Sequence, residues 1–574
     1  MNRESVGAWA LSLLRLDITG VVFAALFFCV SLTPSLLPRD WLSGGIIGGI
    51  NAAIGYGIGV VIGAAVRKLV LRGRHWWPLK PRLRYGLEAV VVAASIGASL
   101  LMVIPAAAWQ RQVAGLMGIE GPATAIYVRT VMVALLTGGL LIAAARLVRD
   151  AVTALARLMI RRWHINDEVA TFIGTAIVVI LIITLVNGVL LSGLLAGASA
   201  VFQPQNANTR PGVERPQQAE RSGSPVSFAS WDSLGFQGRN FVGTGPTAAE
   251  LSELNGRPAK EPIRIYAGLQ SGATTADRVA LLLSELQRTH AFERKLLVIV
   301  PTTGTGWVDP IAARAIESMY NGDTALVGMQ YSYLPSWISF LADRQKSVEA
   351  GRAMVEAIHD RWLQWPEGRR PKLALFGESL GSMAGQGAFG YLPDIAEMGF
   401  SSVLWVGPPN ESRLWKALTE RRDPGTPEVQ PRYDNGRTVR FAQAAGSAEI
   451  AAVAAPPWQG TRVLYLQHAS DPVVWWSPDL FLRKPDWLSE PPGFDRTRAM
   501  RWYPIVTFFQ VSADMAGNVT NSTGVPPGHG HQYGDQQLDG WVAVAAPGGW
   551  TPLDTDRVRR SLEKAMSAGG PEFA

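Results

Sequence analysis

A single cysteine, Cys29, in 574 residues excludes an internal disulfide and a cysteine-built zinc site. Charge is also scarce: 17% of residues are Asp, Glu, Lys or Arg against 48% hydrophobic, which is less charge than a soluble chain of this length usually carries. The shortage is concentrated in the first 200 residues. Their long apolar runs hold almost no ionisable residue near the centre. Transport paths and channels use such residues, so an anchor or a lipid-access platform fits better. No internal repeat is present. The Gly-rich stretch 301–307 lacks the Gly-Lys-Ser/Thr ending of a phosphate-binding P-loop. The formal charge is +7, but the basic residues gather beside the apolar runs. That pattern reads as membrane topology and not as nucleic-acid binding.

What is there begins with five apolar stretches, 16–37, 44–66, 87–109, 124–145 and 169–198, each near the ~20 residues that span a bilayer. No small-residue cleavage site follows the first, so it reads as a retained anchor. Glycines 44, 48, 55, 59 and 63 in the second suit close helix packing. Arg67, Lys68, Arg72, Arg74, Lys80, Arg82 and Arg84 separate stretches two and three. Arg146, Arg149, Arg157, Arg161 and Arg162 separate four and five. The other loops offer little beyond Arg39 and Arg111. Positive loops stay in the cytoplasm, so five crossings place the C-terminal half outside. Residues 151–165 mix apolar residues with arginines and read as an interfacial stretch.

Residues 203–225 are polar and Pro-rich and read as a flexible tether within 201–226, between a membrane domain (1–200) and a catalytic domain (227–574). Beyond it, short apolar runs alternate with helical patterns, as in an α/β domain with a mostly parallel, doubly wound sheet. Strands are expected at 263–267, 296–300, 325–331, 373–376, 402–406, 462–467 and 506–511. Helices are expected at 275–289, 311–320 and 347–362.

The run Leu373–Phe376 leads into Gly377-Glu378-Ser379-Leu380-Gly381. This Gly-x-Ser-x-Gly between a strand and a small-residue helix is the pattern of a nucleophile elbow. A serine hydroxyl needs a histidine to take its proton and a carboxylate to orient that histidine, here in the order Ser, acid, His. Asp471, just past the buried run 463–467, is the preferred acid, with Asp479 and Asp514 behind it. The base belongs in the loop Gly528-His529-Gly530-His531-Gln532-Tyr533-Gly534. His531 is preferred, since a histidine after Gly with an aromatic two residues on resembles related hydrolase loops; His529 is the alternative. Metal binding by the His-x-His pair lacks further ligands, so no metal and no cofactor are expected. Oxyanion donors are expected at the N–H of Leu380 and of Thr303, with Thr302 close behind. Trp475 and Trp476 follow the acid and would line an acyl pocket, touch the membrane interface or simply pack in the core. Trp337 is another of the twenty tryptophans that fall largely in this half.

Several stretches resemble the bacterial membrane-anchored α/β-hydrolase family: Gly304–Val308 (GTGWV), 330–340 (QYSYLPSWISF), 376–381 (FGESLG), 405–409 (WVGPP), 465–476 (YLQHASDPVVWW) and 528–534 (GHGHQYG). The resemblance covers roughly 260–545, and the apolar N-terminal half fits that family's layout. It implies an α/β-hydrolase fold with Ser379 as nucleophile; together with the five apolar stretches, the expected fold is an all-α transmembrane bundle of five spans followed by an α/β-hydrolase domain. The expectation is a serine esterase or lipase in the bacterial inner membrane. Its catalytic domain would face away from the cytoplasm and act on membrane lipids or an acylated envelope substrate. Acyl transfer between envelope glycolipids is the second enzymatic expectation. A non-catalytic scaffold or signalling protein with a hydrolase-like domain is the third.

Overall fold

The computed structural model describes residues 16–69, 81–163, 166–184, 197, 202–334, 338–340, 344–443, 456–519 and 524–573. The chain divides into two units. One holds 1–195, 478–488 and 497–523, and the other 196–477, 489–496 and 524–574.

The first unit is helical: α1 (Ile18–Ser31), α2 (Trp41–Leu69), α3 (Pro81–Leu101), α4 (Val103–Leu116), α5 (Arg129–Trp163) and α6 (Asp167–Thr184). Three stretches are long and apolar enough to cross a membrane, Trp41–Leu69, Tyr85–Leu116 and Thr124–Trp163. The expectation of five spans is therefore not met in full. The first expected span forms a helix of only 14 residues, about 21 Å long against a hydrocarbon core of about 30 Å. The fifth is described only to Thr184, and most of its remainder lies outside the described residues. Residues 151–163, expected along the interface, run unbroken into α5. The glycines of α2 do pack tightly. A Cβ on Gly49 would sit 2.6 Å from Thr137 of α5, and one on Gly59 would sit 2.5 Å from the Thr19 carbonyl of α1.

The second unit is built on a seven-stranded sheet: β1 (Ile263–Ala267), β2 (Leu296–Pro301), β3 (Thr324–Met329), β4 (Lys372–Glu378), β5 (Phe400–Val406), β6 (Val439–Ala442) and β7 (Arg462–Leu466). The spatial order is β1-β3-β2-β4-β5-β7-β6, and every pairing between these strands is parallel. The central strands are buried along nearly their whole length, which explains their continuous Val, Ile and Leu. Alternate residues serve opposite faces. Leu296, Val298, Val300, Phe376, Leu404 and Leu466 join one core with the helices Pro310–Met319 and Gln536–Ala545. Trp405, one residue out of phase with Leu404, points the other way and touches Gly385 in the helix Leu380–Gln386.

Three expectations need correction. Residues 506–511 are not a strand. They open the helix Val506–Val519, whose buried positions 506, 507, 510, 511, 514 and 515 follow helical spacing. Thr507, Gln510 and Asp514 lie on that buried stripe, so its period is invisible in hydropathy. This helix also belongs to the first unit, which interrupts the expected continuous domain 227–574. The tether is tied down as well. Arg221 bridges to Arg264 of β1 and pairs with Glu261 at 2.8 Å, and Ser222 Oγ donates to Glu285 at 2.9 Å. Strand β6 was unforeseen, being only four residues long with one arginine.

Candidate active site

β4 ends at Glu378 and the next helix starts at Leu380, leaving Ser379 alone in the turn at φ 54°, ψ −126°. A non-glycine residue held there is strained backbone, maintained by its surroundings. Two glycines make the turn sterically feasible. A Cβ on Gly377 would sit 2.6 Å from the Gly381 carbonyl oxygen, and one on Gly381 would sit 2.3 Å from the Pro301 carbonyl oxygen. Ser379 N–H donates to the Val406 carbonyl at the end of β5, at 2.9 Å. This is the elbow expected from the sequence.

Asp471 follows β7 after a short loop and is fully buried. Its Oδ1 accepts from Val473 N–H at 2.8 Å and caps the turn Pro472–Trp475. Its Oδ2 takes two partners at 2.7 Å each, the His531 Nδ1–H and the Tyr533 hydroxyl. The His531 ring lies over the first residue past β5. A Cβ on Gly407 would fall 2.5 Å from His531 Cε1. So the Val406–Gly407 step carries Ser379 on its carbonyl and the His531 ring on its next Cα. The ends of β4, β5 and β7, neighbours in the sheet, gather the serine, the imidazole and the carboxylate at one edge.

The second histidine of the loop has its own carboxylate. His529 Nδ1 lies 3.2 Å from Asp495 Oδ2, and Ser470 Oγ donates to the same oxygen. Gly530 N–H donates back to Ser470 Oγ at 2.8 Å. Buried His468 adds a further tie, with Nδ1 2.7 Å from the Gly530 carbonyl and its ring stacked on Tyr533. The loop 528–534 is thus bolted to the segment 468–471 at several points.

The other candidates separate clearly. Asp479 is exposed, and Asp514 is buried in the first unit against Arg39 at 2.7 Å. Leu380 stands in the first turn of its helix, where backbone N–H groups lack intrahelical acceptors. The Thr303 N–H donates to the Trp307 carbonyl at 3.3 Å, and the Thr302 hydroxyl donates to the Met329 carbonyl at 2.7 Å. Trp475 is fully buried with its indole N–H on the His468 carbonyl, and Trp476 packs edge-on against Phe340. Both are packing residues. Trp337 lies outside the described residues.

Residues 263–558 match the model of an alpha/beta-hydrolase family, and residues 32–246 match the model of that family's N-terminus. The chain belongs to this α/β-hydrolase family. No curated protein and no solved structure matches it. Membership agrees with the parallel sheet and points to a hydrolytic enzyme in general, while naming neither substrate nor site.

This α/β-hydrolase also holds acidic groups that sequence reasoning passed over. Glu378, the residue before the serine, is buried, and its Oε2 has no hydrogen-bond partner among the described residues. Burial pushes its carboxyl well above the ordinary range, and the neighbouring Asp309 and Asp471 push it further. Burial likewise raises Asp309 to about 6, against the opposing pull of the Ala312 N–H it caps. The protonated form of Glu378 is therefore favoured beside the elbow. Burial and Asp471 together also hold the Tyr533 phenol protonated, so it serves as a donor. Tyr533 was visible in the sequence as the aromatic two residues after His531. Asp495 had no comparable signal, because only the folded chain brings it to the loop.

Proposed function

We propose that this protein is a membrane-associated serine hydrolase acting on acyl esters through Ser379, His531 and Asp471. His531 takes the Ser379 proton as the hydroxyl oxygen attacks the ester carbonyl carbon. Asp471 holds Nδ1–H, which leaves Nε2 as the basic nitrogen and stabilises the imidazolium that forms. The tetrahedral oxyanion is met by the Leu380 N–H and by an N–H of the Thr302–Thr303 turn. The Thr303 N–H already serves Trp307, which favours Thr302 as the second donor. Collapse expels the alcohol, which receives the proton from His531. Water, deprotonated by the same imidazole, then releases the acid and restores the serine.

The observation that carries this reading is the 2.7 Å His531–Asp471 pair, set over Gly407 beside the residue whose carbonyl binds Ser379 N–H. Helices long enough to cross a membrane favour lipid esters as the substrate class. A fluorophosphonate probe should label the wild type covalently and leave Ser379→Ala unlabelled. Equal labelling of both would end this reading.

A further inference from the structure

Between the acid and the base the chain makes an excursion. It leaves the hydrolase unit at Pro478, joins the helical unit, and returns after Thr523, apart from a brief re-entry at 489–496. Its helix Val506–Val519 is clamped onto the turn 31–39 that follows α1. Asp514 Oδ1 accepts from Arg39 Nε at 2.7 Å. Its Oδ2 accepts from Leu36 N–H at 3.0 Å and from the Ser35 hydroxyl. Gln510 Nε2 donates to the Ser31 and Thr33 carbonyls, and its own carbonyl accepts from Arg39. Gln110 of α4 accepts the Arg39 N–H at 2.7 Å. A buried ion pair with this many satisfied partners fixes one geometry. It does so at the end of an apolar helix, immediately before the membrane-length helix α2 begins at Trp41.

Ahead of this clamp stands an aromatic tip. Phe481 packs on Phe508 at 5.7 Å and on Phe509 at 6.5 Å, and Trp502 Nε1–H donates to the Leu480 carbonyl. Ile505 N–H donates to the Phe481 carbonyl at 2.7 Å and holds φ +69°, an outlier for a β-branched residue. The tip is held in place, yet its apolar end is uncovered: Phe481 is 37% exposed and Leu482 71%. Arg483, Lys484, Arg498 and Arg501 are exposed in the same stretch of chain, which also carries the exposed carboxylates of Asp479 and Asp486. Aromatic and aliphatic side chains among excess cations suit the boundary between acyl chains and anionic headgroups.

We propose that this tip is a docking surface for the phospholipid bilayer that the protein's own helices cross, with Phe481 and Leu482 entering the headgroup–acyl boundary. The occupant is lipid because the tip belongs to the helical unit and is clamped at a turn where its apolar helices end. The proposal is independent of the serine-hydrolase reading, and its test reads no activity.

The full chain carrying Cys29→Ser and Leu482→Cys is labelled with an environment-sensitive fluorophore and reconstituted into nanodiscs containing anionic phospholipid. Quenching by spin-labelled lipid should exceed quenching by aqueous iodide at least threefold. Arg483→Cys, labelled alike, is the second position and should show a smaller excess. Iodide quenching that dominates at both positions would overturn the proposal. Shielding from both quenchers would overturn it too, because protein and not lipid would then cover the tip. Ser379 labelling, measured separately, does not bear on either result.

Discussion

Two histidines of one loop, two residues apart, each pair with an aspartate, and only one of the two pairs adjoins the turn that holds Ser379. His531–Asp471 and His529–Asp495 both join Nδ1 to a fully buried carboxylate, at 2.7 and 3.2 Å. Their surroundings differ. Asp471 rises from the end of β7, and His531 lies over Gly407, next to the elbow. Asp495 lies on a loop and shares its oxygen with Ser470, so His529 belongs to the network that anchors the loop. On the proposed mechanism, the same chemical pair serves catalysis or loop anchoring according to which strand end it adjoins.

The largest effect should separate the histidines. His531→Ala should lower ester hydrolysis by about 10⁴-fold or more, as expected when a member of a concerted triad is lost, while His529→Ala should stay within about tenfold. Steady-state kinetics on one ester substrate reads both. If His529→Ala were the more damaging, the assignment would reverse.

Next come the carboxylates. Asp471→Asn should cost about 10³–10⁴-fold in kcat, because the amide favours the wrong imidazole tautomer. Asp495→Ala should change kcat much less but lower stability by about 1–3 kcal/mol, since it strands Ser470 and His529. Thermal unfolding in detergent checks the second half. Equal losses of rate in the two variants would erase the distinction.

A smaller effect concerns pH and belongs to the Asp471 side alone, where Glu378 and Asp309 crowd it. The folded Asp309 carboxyl titrates at about 6 against an ordinary 3.8. Between those values the folded chain keeps a proton that the unfolded chain releases, so stability falls as pH rises through that window. Asp309→Asn retains the helix cap and removes the titration. The variant should match the wild type in slope below pH 4 and gain on the order of 3 kcal/mol relative to it by pH 7. Melting temperatures at pH 4 and pH 7 that shift in parallel would contradict this.

The smallest effect tests the extra donor on Asp471. Tyr533→Phe should reduce kcat/KM by only a few fold and stability by about 1 kcal/mol. A loss comparable with that of Asp471→Asn would show that the phenol does more than support the carboxylate.

Much of the sheet was legible because its strands are buried on both faces. Leu296–Pro301 and Val463–Leu466 announce themselves as unbroken apolar runs. Val439–Ala442 did not, being short and interrupted by Arg440. The helix Val506–Val519 reads as a strand in hydropathy because its buried stripe includes Gln510 and Asp514, polar residues that pair with the Ser31 and Thr33 carbonyls and with Arg39. The elbow was legible through the steric demands of Gly377 and Gly381. The preference for His531 over His529 rests on a resemblance in the sequence, and the structure adds that each ring has its own buried carboxylate.

The sequence by itself determined the local events: apolar helices of membrane-spanning length, a parallel α/β sheet, a serine held in a tight turn, and a Gly-rich loop carrying two histidines. Each follows from short-range sterics or from the period of burial. Only the tertiary structure decided which carboxylate meets which histidine. It also decided that Asp514 serves Arg39 and that residues 478–523 largely leave the hydrolase unit. Those outcomes depend on polar pairings between residues 34 to 475 positions apart. Such pairings leave no periodic trace in the chain and are stable only where burial makes an unpaired charge costly.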